Sequence, residues 1–287
     1  MSFLRGRDRP GANGGAAGTR LGPYDRPMPS FSRGEVALWW EDSGPAEAFP
    51  VILHTGGAGA GSMWQSGGYV ERLAGFRLVL FDHRGHGRSD RPAGVAAHRI
   101  EEYVADVSAL AAAAGLDRYA FVGYSFGGAV GLRLAARDAR MRALVTLGAV
   151  YEQPGAEPDA DSPYAPPDIE MADLAEAIER QEGIVLPEVL RQEFLDTDAD
   201  QFALLMEAGN GVADPWAELP SIAIPVLLIA GTEEDPDGVQ DEMAAGLSDG
   251  RSVHLPGCGH VGAFLRPDDV CAAALPLLNQ ISGRTRP

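Results

Sequence analysis

Apolar residues in this chain fall into short, dense runs separated by stretches with helical spacing, and the two kinds alternate from residue 34 onward. Strand-like runs lie at Val36–Trp40, Val51–His54, Arg77–Asp82, Tyr119–Tyr124, Ala143–Val150, Pro225–Gly231 and Ser252–Leu255. The third to the sixth are apolar at nearly every position, as strands buried on both faces should be. Helix-like stretches lie between them at Ser66–Ala74, Ile100–Ala114, Gly128–Arg137, Gln240–Leu247 and Pro267–Gln280. In the second of these, Ile100, Tyr103, Val104, Val107 and Leu110 recur at three- and four-residue intervals, which marks one face of a helix, and Gly115 stops it. The alternation predicts a three-layer α/β fold, a mostly parallel central sheet with helices on both faces.

One insertion breaks the pattern. Between Val150 and Ile224 there is no strong strand; residues 154–168 are rich in Pro and Asp, and 169–182 and 187–208 read as helices. The expected organisation is a flexible tail over 1–30, a core over 31–150 and 221–287, and a helical cap or lid over 151–220. The cap carries 18 acidic residues against Arg180 and Arg191, so nearly all of the net charge of −18 resides there. Such a surface keeps a protein soluble. Placed above a site, it would also disfavour anionic substrates and attract cationic ones.

Composition narrows the chemistry. With 45% apolar and 22% charged residues over 287 positions, the chain is globular and near the upper size of one domain. It contains no lysine; all 23 cations are arginine. That excludes a P-loop lysine, a kinase strand lysine and a Schiff-base lysine. The acidic balance argues against a nucleic-acid partner, whose phosphates demand basic patches. No apolar run approaches the ~20 residues needed to span a bilayer. No apolar leader precedes the core, and Cys258 and Cys271 make no disulfide framework, so a cytoplasmic setting is expected.

The pentapeptide Gly123-Tyr124-Ser125-Phe126-Gly127 follows the run Tyr119–Val122 and precedes a helical stretch. Gly-x-Ser-x-Gly between strand and helix is the form of a nucleophile elbow, in which a tight turn exposes the serine hydroxyl. The following helix points its unpaired N–H groups at any negative charge generated there. Downstream, Val226–Gly231 leads into Thr232-Glu233-Glu234-Asp235-Pro236, and a later strand leads into Gly257-Cys258-Gly259-His260-Val261-Gly262. Ser125, Asp235 and His260 thus occur in the chain order expected after an elbow. Asp235 is the expected acid because the following proline suits an extended loop. Glu234, Glu233 and Glu152, which follows an earlier strand, stay open as alternatives.

The chain resembles the alpha/beta-hydrolase superfamily over about residues 36–275. Besides the segments above, His54-Thr55-Gly56-Gly57-Ala58-Gly59, with Trp64 beyond, is similar to that family's oxyanion loop, with Thr55 where glycine is usual. Phe81-Asp82-His83-Arg84-Gly85-His86-Gly87-Arg88-Ser89 resembles its Asp-x-Arg-Gly-x-Gly-x-Ser turn. The resemblance implies that Ser125 attacks an acyl carbon, that His260 takes its proton, and that an acid orients the imidazole. It implies an oxyanion hole from the N–H groups of Gly56 and Phe126. The expected activity is hydrolysis of a small ester, lactone or related acyl compound through a Ser-His-Asp triad and an acyl-enzyme, with a small-molecule substrate and no metal or organic cofactor. Alternatives are carbon–carbon hydrolysis, perhydrolysis, acyl transfer or cyclisation, iminopeptidase-like action with cap glutamates holding an amine, or a non-catalytic binding protein. His83 and His86 are expected to serve the turn rather than a metal, because no third ligand stands at a recognisable spacing.

Overall fold

A computed structural model describes residues 30–151, 170–209 and 215–284. The expected tail, apart from Ser30, and the alternative acid Glu152 lie outside them. The chain runs β1 (Ser30–Arg33), β2 (Val36–Ser43), β3 (Pro50–His54), α1 (Met63–Ser66), α2 (Tyr69–Arg72), β4 (Arg77–Phe81), α3 (Ile100–Ala113), β5 (Tyr119–Tyr124), α4 (Phe126–Ala135) and β6 (Met141–Leu147). It then leaves the sheet for α5 (Met171–Glu182), α6 (Glu188–Leu195) and α7 (Ala199–Gly209). It returns as β7 (Val226–Gly231), α8 (Val239–Ala245), β8 (Gly250–Leu255), α9 (His260–Phe264) and α10 (Pro267–Ser282).

The eight strands form one sheet in the order β1-β2-β4-β3-β5-β6-β7-β8. β1 and β2 pair antiparallel, as do β2 and β4. From β4 to β8 every pair is parallel. Burial on both faces follows from the side-chain alternation of the runs. In β3, Val51 and Leu53 enter the cluster shared with α1, α2 and α10, while Ile52 enters the one shared with α3, α4 and α8. β4 lies on one side of β3 and β5 on the other, so the winding direction reverses between β3 and β5. In open α/β sheets the crevice at the carboxyl ends of such strands is where ligands bind.

Several boundaries differ from expectation for local reasons. The run Ala143–Val150 stops as a strand at Leu147 because Gly148 turns to φ 62°. The helix expected over Ser66–Ala74 is two short helices broken at Gly67-Gly68, with Gly68 at φ 74°. The stretch 187–208 divides at Asp196–Asp198, where the Asp198 carboxylate accepts the Gln201 N–H (3.2 Å) and starts α7. β1 was not foreseen: it is a four-residue edge strand beside a Gly- and Pro-rich segment, held by Arg33 paired to Asp106 and Glu102 of α3.

The segment after β4 is a structural staple. Arg84 and Asp106 form a bidentate pair (2.7 and 2.8 Å), both essentially buried, which pins the turn to α3. Asp82 accepts the N–H groups of Gly61 and Arg88 (both 2.9 Å), and Ser89 Oγ donates to the Asp82 carbonyl while accepting the Trp39 N–H.

Candidate active site

Ser125 sits at the carboxyl end of β5 with φ 53° and ψ −119°, the one non-glycine residue with positive φ among the described residues. Such a conformation costs on the order of 1–3 kcal/mol and persists only where its surroundings enforce it. Here they do. The Ser125 N–H donates to the Leu147 carbonyl (2.7 Å), and the Ser125 carbonyl accepts from Gly128 (2.8 Å) at the start of α4. A Cβ at position 123 would lie 2.3 Å from the Gly127 carbonyl oxygen, and one at 127 would lie 2.4 Å from that of His54. Both glycines of the pentapeptide are therefore sterically required.

The loop after β3 lies against this turn. A Cβ at Gly56 would be 3.2 Å from the Ser125 Cβ and 3.4 Å from the Tyr124 ring. Beneath it stand three buried histidines, His54 stacked on His83 (5.3 Å between centroids) and His83 tilted against His86 (3.9 Å, 45°). His54 Nδ1 contacts the Thr55 carbonyl (2.8 Å). A carbonyl only accepts, so Nδ1 carries the proton. That bond holds the Thr55–Gly56 peptide, and planarity of the trans unit sends the Gly56 N–H the opposite way. Burial keeps the cluster neutral. It lowers His54 to about 4 and His83 to about 3, and takes His86 well below its ordinary value.

His260 begins α9, just past β8, and its ring stacks on Tyr124, the residue before Ser125 (5.0 Å between centroids, 28°). Its Nδ1 lies 2.6 Å from Glu234 Oε1, in the loop after β7. Burial pulls the imidazole down, but the charge and hydrogen bond of Glu234, with the charge of Glu182, outweigh it and leave His260 raised above its ordinary value. Nδ1 donates to the carboxylate, which leaves Nε2 as the basic nitrogen.

Asp235 does not reach His260. Its carboxylate turns away into the start of α8, where it accepts the N–H groups of Val239 (2.7 Å) and Gln240 (3.0 Å) and bonds His254 Nε2 (2.8 Å). Of the two neighbouring acids, Glu234 faces the histidine and Asp235 faces α8. The residue after β6 makes room for the dyad: a Cβ at Gly148 would lie 2.8 Å from His260 Nδ1 and 3.4 Å from Glu234 Oε1.

The match to the alpha/beta hydrolase family model runs from residue 51 to 274, from β3 into α10. The chain belongs to the alpha/beta hydrolase family. It is 35% identical over 100 residues to a non-heme chloroperoxidase of Streptomyces lividans, covering 35% of this chain and 36% of that protein. It is 31% identical over 159 residues to a proline iminopeptidase of Xanthomonas citri, covering 50% of each. The chain thus matches about a third to a half of the length of these curated relatives. Among solved structures, an enol-lactonase of Burkholderia xenovorans LB400 superposes with a TM-score of 0.73 at 28% identity, covering 88% of this chain and 100% of that one. The esterase RhEst1 of a Rhodococcus species shares the fold (TM-score 0.74, 21% identity, 88% and 98% covered).

Three features of the site escaped the sequence reading. They are the Glu182 contact to α9, the Tyr124 ring under the imidazole, and Gly148, whereas Glu234 was already one of the open alternatives to Asp235. Gly148 had a legible signal, since a glycine inside an apolar strand run often marks a close approach. Among the described residues no group of three or more His, Cys, Asp or Glu side chains is placed to hold a metal ion, and no helix is long and apolar enough to cross a membrane. Both cysteines are buried and unpaired with each other.

Proposed function

We propose that the protein is a serine hydrolase that cleaves a small ester, lactone or related acyl compound, with Ser125 as nucleophile, His260 as base and Glu234 as the acid. The observation that carries it is the pairing of a strained serine at the switch point with an imidazole on the neighbouring residue's ring, held by a carboxylate at 2.6 Å. Ser125 Oγ adds to the acyl carbon and its proton passes to His260 Nε2. The Gly56 and Phe126 N–H groups receive the oxyanion; the first is aimed by the His54–Thr55 bond, the second opens α4. The imidazolium then protonates the leaving alkoxide, which departs and leaves the acyl-enzyme. Water, deprotonated by His260, attacks that ester and releases the acid and Ser125. Glu234 keeps the proton on Nδ1 and stabilises the imidazolium at each step. The acidic helices α5 to α7, inserted between β6 and β7, are read as a cap over this edge.

Likeness to the enol-lactonase over nearly the whole fold supports an acyl substrate. The chloroperoxidase match favours a second outcome of the same acyl-enzyme, its capture by hydrogen peroxide to give a peracid. A fluorophosphonate probe should label the wild type and not Ser125→Ala. Failure to label folded wild type would leave a binding role instead. A panel of p-nitrophenyl esters, lactones and amino-acid arylamides, with and without peroxide, then separates the acyl classes.

A further inference from the structure

The first N–H groups of α9, the helix that His260 opens, are not capped by its own flanking residue, Gly259. They are met from 79 residues away. Glu182, the last residue of α5, accepts the Val261 N–H on Oε1 (2.9 Å) and the Gly262 N–H on Oε2 (2.7 Å). Both carboxylate oxygens are thereby engaged, and this glutamate of the insertion braces α9. The fit is close, since a Cβ at Gly259 would lie 2.8 Å from the Glu182 carboxylate. Free N–H groups at a helix start are oriented donors that a carboxylate satisfies in both charge and geometry.

We propose that Glu182 is a positioning residue for His260: it clamps the histidine's helix to the inserted helices and adds a second negative charge beside the imidazole. The inference rests on the Ser125–His260–Glu234 reading above. Among the described residues, Glu234 across Nδ1, Glu182 beneath α9 and the Tyr124 ring on its face surround His260. The charge of Glu182, like that of Glu234, favours the protonated imidazole. Under this arrangement the insertion does more than roof the pocket. Any movement of α5 is transmitted to the base through two hydrogen bonds.

The test compares wild type with Glu182→Gln and Gly259→Ala on a p-nitrophenyl ester from pH 5 to 9. Glu182→Gln removes the charge and one of the two acceptors. Gly259→Ala keeps the charge but pushes the carboxylate off the N–H groups. Both should lower kcat about ten- to a hundredfold, the scale of a misplaced catalytic group, with KM little changed. Glu182→Gln should in addition shift the acid limb of kcat/KM to lower pH, because the base has lost a stabilising charge. Combining the two should cost no more than the worse single change, since both act on one contact. An unchanged kcat and acid limb in folded Glu182→Gln would overturn the proposal, as would a loss confined to thermal stability. Should that variant fail to fold, Gly259→Ala decides: wild-type kcat in it overturns the proposal. Absence of Ser125-dependent fluorophosphonate labelling in wild type would instead overturn the triad reading, and so is distinguishable.

Discussion

Glu234→Gln and Asp235→Asn should fail in opposite ways, although they alter neighbouring carboxylates by the same chemical step. The Glu234 side chain is 12% exposed, one oxygen is held by His260, and the other has no hydrogen-bond partner among the described residues. Glutamine can still meet the imidazole, so a charge-assisted bond is replaced by a neutral one rather than left unmade, and stability should change by about 1 kcal/mol. Catalysis should suffer far more, because a glutamine can hold the imidazole in the wrong tautomer and cannot offset its charge. In serine triads that loss is on the order of 10⁴ in kcat. Asp235 is 1% exposed at its side chain and meets three donors, the N–H groups of Val239 and Gln240 and the His254 ring. An asparagine offers one acceptor oxygen and turns an amide toward a donor. Losing one such charge-assisted bond costs roughly 1.5–3 kcal/mol. At about 2–4 °C per kcal/mol for a chain of this size, Tm should fall by roughly 3–12 °C, with kcat at 25 °C within a few-fold of wild type. Thermal melts and ester hydrolysis on the same preparations read both quantities. A folded Asp235→Asn that has lost turnover, beside an active Glu234→Gln, would refute the assignment.

Two further outcomes follow from packing and burial. Gly127→Ala would place a Cβ 2.4 and 2.7 Å from the carbonyl oxygens of His54 and Thr55. The oxyanion loop must shift, and activity should fall on the order of a hundredfold in a folded protein; wild-type turnover would mean that the loop's placement against α4 does not matter. The neutral histidine cluster should make the protein acid-sensitive. His54, lowered by burial from 6.5 to about 4, is protonated in the unfolded chain but not in the native one between those values. Its stabilising contribution is therefore intact above pH 6.5 and drains as pH falls toward 4, by up to ~1.4 kcal/mol per pH unit. Denaturant unfolding of His54→Asn, which keeps a donor near Nδ1 but does not titrate, should show a slope of stability against pH shallower by that amount. An unchanged slope would show that His54 is not buried in its neutral form.

The elements most legible in the sequence were those fixed by local patterns. Dense apolar runs gave the interior strands, and the spacing of Gly123 and Gly127 around Ser125 gave a bend that only a strained serine satisfies. Which acid serves His260 was not legible, because Glu233, Glu234 and Asp235 are consecutive and the choice is made by what each meets in space. One local contact bears on it. Asp235 stands four residues before Val239, where α8 begins, and from outside the N-cap Gly238 its short side chain accepts that helix's first N–H groups. With Asp235 committed to that helix, it is Glu234 that faces β6 and the histidine. A glutamate suits that position because it has the longer reach, and Gly148 suits the end of β6 because any Cβ there would intrude on both partners. Glycine, glutamate and histidine, on three successive strand ends, are therefore one solution to one geometric problem. Each is unremarkable when read alone, and so the pairing can be seen only where the sheet brings the three loops together.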